Sequence, residues 1–166
     1  MADLVVDSSV AIKWSVSEPL VSEATAILSA YQAGTVTLLA PDLIYAELGN
    51  IIWKKQMLHG LATADAQQII DDILGLRLTT TPSAELLTDG HRLAVAHGRT
   101  VYDALYLALS LRRRCPFVTA DERLVNSVSA ALPQVVWLGR WTPPAPSATI
   151  EPSPTPRPDA SEGHQP

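Results

Sequence analysis

Apolar runs of four to six residues alternate along this chain with longer segments of helical period. "LVV" (4–6), "VTLLAP" (36–41), "LRLTTT" (76–81), "FVTA" (117–120) and "VVWL" (135–138) have the length and β-branched content of buried strands. Between them, apolar positions recur every three to four residues. "PLVSEATAILSAYQAG" (19–34) carries Val21, Ala24, Ile27, Leu28 and Tyr31 on one face and ends at Gly34. "DLIYAELGNIIWKKQMLHG" (42–60) follows Pro41, with Asp42 as the expected N-cap and Gly60 as the stop. Further helices are predicted over 63–76 (capped by Thr63 or Asp65), 83–98 (opening at Ser83), 101–114 and 121–132. Helices that alternate with short, fully apolar strands predict an α/β fold: a three-layer α/β/α sandwich around a mostly parallel sheet.

The pattern stops at one place. From Thr142 to Pro166 the chain reads "TPPAPSATIEPSPTPRPDASEGHQP", with eight of the thirteen prolines and Ile150 as the one large aliphatic. Such a segment buries too little apolar surface to offset the entropy of ordering it. The expected organisation is one folded domain over 1–141 and a Pro-rich disordered tail over 142–166.

Composition narrows the function. Of 166 residues, 47% are hydrophobic and 17% charged, as in a soluble globular protein, and the formal net charge is −5. Proteins that grip nucleic acid over a whole surface are usually basic, so any such contact here has to be local. The single cysteine, Cys115, excludes an internal disulfide and a cysteine-based zinc site, and the four histidines show no paired spacing. The start "MADLVVD" lacks the features of a signal peptide, and no apolar run approaches the roughly 18 residues of a membrane span. A cytoplasmic protein is expected.

Two strands end on aspartates: "LVVD" at Asp7 and "FVTAD" at Asp121. Asp121 also suits the N-cap of the helix "ERLVNSV", whereas "SSVAIKW" after Asp7 has no clean helix start. Ligands of open α/β sheets bind outside the carboxyl ends of the strands. Two more acids stand in unfavourable places. Glu47 has Leu43, Ile44, Asn50 and Ile51 three and four positions away, so it lies on or beside a buried stripe, where a lone carboxylate is costly. Asp103 opens a helix that is apolar nearly all round, where it also suits the helix dipole and a capping arrangement with Thr100. Four carboxylates converging on one pocket would repel and raise one another's pKa values unless a cation balances them. An all-oxygen ligand set favours Mg²⁺ or Mn²⁺, and such a site suits phosphodiester hydrolysis.

The segments "VVDSSV", "APDLIYAELGNIIWK", "TVYDALYLALSL" and "FVTADERLV" resemble, in order and spacing, the PIN-domain ribonucleases, and most closely the VapC toxins of type II toxin–antitoxin pairs. The resemblance spans residues 3–138. It implies a metal-dependent endoribonuclease that binds one or two Mg²⁺ or Mn²⁺ ions through Asp7, Glu47, Asp103 and Asp121. Asp7 and Asp103 would be the main ligands. The resemblance places Thr119, Ser8 and Ser9 in support, and implies a homodimer and a VapB-like antitoxin partner. The tail after Trp141 departs from the family's compact C-terminus.

RNA has to reach an acidic pocket, and the candidate cations are Lys13, Lys54, Lys55, Arg112, Arg113 and Arg114, although three arginines ending a helix also complement its dipole. Trp14 is a candidate for base stacking, and Trp53 reads as core or dimer interface. Three other readings compete. A receiver-type signalling domain needs a late lysine, and none follows Lys55. A haloacid-dehalogenase-type phosphatase needs an acid two residues after the first, where Ser9 stands. A PIN-fold interaction module without catalysis would retain the fold and need no Mn²⁺ at the acids.

Overall fold

A computed structural model describes residues 1–144. Five parallel strands form one sheet: β1 (Ala2–Val6), β2 (Val36–Pro41), β3 (Thr79–Thr81), β4 (Phe117–Thr119) and β5 (Val135–Trp137), in the order β3-β2-β1-β4-β5. The helices are α1 (Ser8–Ala11), α2 (Val21–Gln32), α3 (Leu43–His59), α4 (Thr63–Gly75), α5 (Ser83–His97), α6 (Val101–Arg113) and α7 (Glu122–Val128), with 3-10 turns at Ile12–Trp14 and Leu138–Arg140. The all-parallel sheet dictates crossovers, and right-handed crossovers assign the helices to faces. Connections from β1 through β2 to β3 run toward one edge and lay α2, α3 and α4 on one face. Connections from β3 through β4 to β5 run back and lay α5, α6 and α7 on the other. The α/β sandwich follows, and β1 is covered on both sides: Val5 and Val6 are fully buried.

The winding direction reverses between β1 and β4. At such a switch point the loops leaving two neighbouring strands part, and a crevice opens at their carboxyl ends. Asp7 follows β1 and Asp121 follows β4 by two residues. The helix α6 underlies this region. Ala104 to Ser110 are all buried, as a helix sandwiched between the sheet and α5 has to be. Gly90 of α5 lets the two helices approach, since a Cβ there would meet Leu105 Cδ2 at 2.9 Å.

Several boundaries differ from the expected ones. The segment after Asp7 does form a helix, one turn of α1 followed by a 3-10 turn, and Asp7 caps it by accepting from the Val10 amide at 3.2 Å. Strand β3 begins at Thr79, because Arg77 takes a left-handed conformation (φ 50°) that breaks extension. Helix α7 ends at Val128, and the next residues turn toward β5. Neither Thr63 nor Asp65 caps α4, whose N-cap position holds Ala62. Asp42 stands at the start of α3 without capping it. Its carboxylate instead accepts from the Ser83 amide at 2.9 Å and from the Ser83 hydroxyl, so it ties the start of α3 to the first turn of α5. These bonds hold the Asp42 carboxyl below its usual range. The expected Pro-rich tail, 142–166, lies outside the described residues from 145 onward.

The Asp42 contact gives a stability prediction. Asp42→Ala removes an N-terminal acceptor from α5 and is expected to lower unfolding free energy by about 1 kcal/mol. Urea denaturation of wild type and variant at pH 7 measures it, and equal midpoints would contradict it.

Candidate metal centre at the carboxyl edge of the sheet

Asp7, Glu47, Asp103 and Asp121 all line one cavity of about 160 Å³ at the carboxyl edge of the sheet, together with Ser8 and Ser9. Four different elements deliver them. Asp7 sits between β1 and α1, Glu47 one turn into α3, Asp103 in the first turn of α6, and Asp121 between β4 and α7. A larger cavity of about 440 Å³ opens between α5 and α6, lined by Leu93, Ala96, Ala108 and Leu111 with Asp89, Arg92 and Arg112. None of the four acids lines it, so the smaller cavity is the candidate site.

Asp7 is the most confined of the four. Ser9 Oγ donates to its Oδ1 at 2.6 Å, and Thr119 Oγ1 donates to its Oδ2 at 2.5 Å. Burial pushes its pKa up to about 6, against the hydrogen bonds from Ser9, Thr119 and the Val10 amide, and the Glu47 charge adds to the rise. Thr119 and Ser9 also knit the strand ends together, since Thr119 Oγ1 accepts from the Asp121 amide at 3.0 Å and Ser9 Oγ from the Ala120 amide at 2.9 Å.

The other acids are each held by one side. Asp121 caps α7, its Oδ1 accepting from the Arg123 and Leu124 amides at 2.9 and 3.0 Å. The Asp103 amide donates to Thr100 Oγ1 at 3.1 Å, while the Asp103 carboxylate pairs with Arg99 Nη2 at 3.1 Å. Only one arm of the expected capping box is therefore made. Glu47 is half-buried beside Ile44 and Leu48. Its partner is no cation but the phenol of Tyr106, which donates to Oε2 at 2.6 Å.

Among the described residues, no three acids, histidines or cysteines are drawn into a closed ligand cluster. The donor chemistry still suits a hard cation. Every ionisable side chain lining the cavity, Tyr106 apart, is a carboxylate. Asp121 Oδ2 and Glu47 Oε1 have no hydrogen-bond partner among the described residues. Asp7 has no ion pair among the described residues. Two residues of this region escaped the sequence reading. Tyr106 follows Asp103 by three positions and shares its face, which was its one signal in the sequence. Arg99 precedes Asp103 by four, and its buried Nε finds no hydrogen-bond partner among the described residues.

The expected RNA-contact cations divide. Lys13 is buried and pairs with Glu18 at 3.1 Å, and Lys55 pairs with the same carboxylate at 2.6 Å. Burial alone would raise the Glu18 pKa, but the bonds from Lys55 and Lys13 hold it below the usual range. Arg113 pairs with Asp3 at the start of β1, Arg112 with Glu85 and Asp89, and Arg114 closes α6 in a left-handed conformation. Ten residues of helix separate Asp103 from Arg113, about 15 Å at 1.5 Å per residue. The three arginines thus stand toward the opposite edge of the sheet. Lys54 is exposed, has no ion pair among the described residues, and follows Glu47 by two turns on the same face, about 10 Å along the axis. Trp14 packs against the core and donates its indole N–H to the Ala24 carbonyl at 2.9 Å, which takes it from base stacking. Trp53 is 55% exposed and not core.

An α/β sandwich with its acids at a sheet switch point defines a class, and the sequence matches the PIN domain family over residues 4–128. This chain belongs to the PIN-domain family. Ribonuclease VapC3 of Pyrobaculum aerophilum is 31% identical over 129 residues, covering 76% of this chain and 95% of that protein. The crystal structure of PAE2754 from Pyrobaculum aerophilum has a TM-score of 0.61 at 22% identity, over 83% of this chain and 92% of that one. The crystal structure of VapC20 from Mycobacterium tuberculosis, a toxin that cleaves the sarcin–ricin loop, has a TM-score of 0.56 at 12% identity, over 77% and 95%.

Asp7 supplies the pH prediction. Its pKa is higher folded than unfolded, so the folded chain binds the extra proton between about pH 4 and 6, and stability contributed below that window is lost as pH rises through it. Without divalent cations, Asp7→Asn is expected to melt a few degrees above wild type at pH 7 and level with it near pH 4. Thermal melts in EDTA at both pH values check this, and a lower melting point for the variant at pH 7 would contradict it.

Proposed function

We propose that this chain is a metal-dependent endoribonuclease, the toxin of a VapBC-type pair, acting through Asp7, Glu47, Asp103 and Asp121. The observation that carries the reading is the convergence of these four acids, from four separate elements, on one cavity at the sheet switch point. The relationship to a protein named Ribonuclease VapC3 supports the reaction class.

Asp7 and Asp103 would be the main residues to hold Mg²⁺ or Mn²⁺, as one or two ions, with Glu47 and Asp121 completing the set directly or through water. A divalent cation bound there supplies Lewis acidity at the phosphoryl oxygen and lowers the pKa of a water. The protein's part is placement. Thr119 and Ser9 fix both oxygens of Asp7. Ser8 stands at the cavity wall, where its hydroxyl can donate to a phosphate. Asp121 keeps one oxygen on the α7 amides and offers the other. Glu47 accepts from the attacking water and aims it. Asp103 keeps Oδ2 on Arg99 and would offer Oδ1, which has no hydrogen-bond partner among the described residues, to the cation. Lys54 is the cation best placed for the RNA backbone. The partners in this reading are RNA, a second copy of the chain, and a VapB-like antitoxin that covers the acidic cavity. No helix among the described residues is long and apolar enough to cross a membrane.

Purified protein free of antitoxin is expected to cleave RNA from a total small-RNA pool with Mn²⁺ or Mg²⁺ and to stop in EDTA, and Asp7→Asn is expected to lose cleavage while remaining folded. Cleavage by the variant at the wild-type rate would refute the site. No cleavage together with no Mn²⁺ binding would favour an interaction module. For the backbone contact, Lys54→Gln is expected to weaken RNA binding across sequences and reduce the slope of log K against log salt by about one. Fluorescence anisotropy over a salt series in EDTA reads it, and an unchanged slope would remove Lys54 from the interface.

A further inference from the structure

Tyr106 is 2% exposed, yet it touches the chemistry. Its ring stacks on Phe117 with centroids 5.5 Å apart and planes 13° from parallel. Phe117 opens β4, the strand whose Thr119 binds Asp7. The Tyr106 hydroxyl reaches across the carboxyl edge of the sheet, from α6 to α3, to meet Glu47 Oε2 at 2.6 Å. A continuous path therefore joins the two acids: Asp7, Thr119, β4, Phe117, Tyr106, Glu47.

We propose that Tyr106 is a positioning residue for Glu47, holding the carboxylate by Oε2 so that Oε1 is the atom it presents to the cavity. The inference rests on the metal-nuclease reading and says how one ligand of that site is prepared. Three observations carry it. Glu47 receives no other side-chain hydrogen bond among the described residues, so without the phenol its three side-chain torsions would be unrestrained. The ring itself is fixed, buried in α6 and stacked on a sheet residue, so the hydroxyl is a rigid post. And the phenol can only donate here. The contact is an O–H···O bond with the Tyr106 phenol as donor and Glu47 Oε2 as acceptor. A core that needed only filling would be served by phenylalanine, which carries no hydroxyl to desolvate.

Tyr106→Phe tests this, because it keeps the ring and the stack and deletes one oxygen. Mn²⁺ binding is followed by electron paramagnetic resonance, alongside RNA cleavage and thermal melting, in wild type, Tyr106→Phe, Glu47→Gln and the double variant. We expect Tyr106→Phe to stay folded, to bind Mn²⁺ about 10- to 100-fold more weakly, and to regain cleavage at high Mn²⁺. The double variant is expected to bind no more weakly than Glu47→Gln alone, as two groups acting through one contact must. Wild-type Mn²⁺ affinity in Tyr106→Phe, or additive losses in the double variant, would overturn the role of Tyr106 and leave the nuclease reading intact. A wild type that neither binds Mn²⁺ nor cleaves RNA would overturn both.

Discussion

The Asp7 carboxylate is the constraint around which this end of the molecule is arranged. It ends the central strand of the sheet, where both faces are covered and water is largely excluded. A charge there costs several kcal/mol if left bare. Two hydroxyls and an amide meet it, and they reduce the cost without cancelling it, which is why its pKa remains raised. The same donors serve a second purpose. Thr119 and Ser9 each accept an amide from the β4–α7 connection while they donate to Asp7. Stabilising the acid and closing the strand ends are one set of hydrogen bonds, so the fold cannot relax the acid without loosening the edge on which Asp121 sits.

Helix capping accounts for how the acids are aimed. Asp7 and Asp121 both cap the helix that follows their strand. Capping uses one oxygen and fixes the carboxylate plane at a helix N-terminus, where the macrodipole favours negative charge. Asp103 lies in the first turn of its own helix and gains the same field. Three of the four acids are therefore stabilised by helix ends, and Glu47, one turn into α3, is not. It has a phenol instead. The capping role of Asp121 does not exclude a functional one, because capping occupies Oδ1 and leaves Oδ2 without a hydrogen-bond partner among the described residues.

Much of this was legible in the chain. Strand–helix alternation specified the α/β class, and the fully apolar "LVV" and "FVT" marked the central strands because only a sheet covered on both faces tolerates them. The acids stood out because their neighbours are apolar. Boundaries were less legible. Helix α1 was hidden because "SSVAIKW" has too short a period to read, and its stability comes from a cap and from packing, not propensity. Asp42 has the look of a cap for the helix that follows it, and only the spatial meeting of α3 and α5 turns it toward Ser83. Tyr106 was invisible as a partner of Glu47, since 59 residues separate them and no local pattern encodes that meeting. The cations misled for the same reason. Sequence gives their charge but not Glu18, which neutralises Lys13 and Lys55 from a loop.

That neutralisation shapes how an anionic polymer can approach. The chain is acidic overall, its cavity is walled by carboxylates, and several of its cations are already paired: Lys13 and Lys55 with Glu18, Arg99 with Asp103, Arg113 with Asp3. A phosphate entering the metal-free cavity would meet repulsion with little to offset it, and at an effective dielectric of about 20 each charge pair at 4 Å is worth about 4 kcal/mol. The balance changes only when positive charge is added at the acids. A divalent ion held there would neutralise two of the cavity's negative charges. Metal and RNA are then expected to bind with positive coupling, each strengthening the other by the same factor. On the proposed reading, the acids that would hold the metal would also repel a phosphate from the cavity in its absence, while RNA could still contact cations outside it.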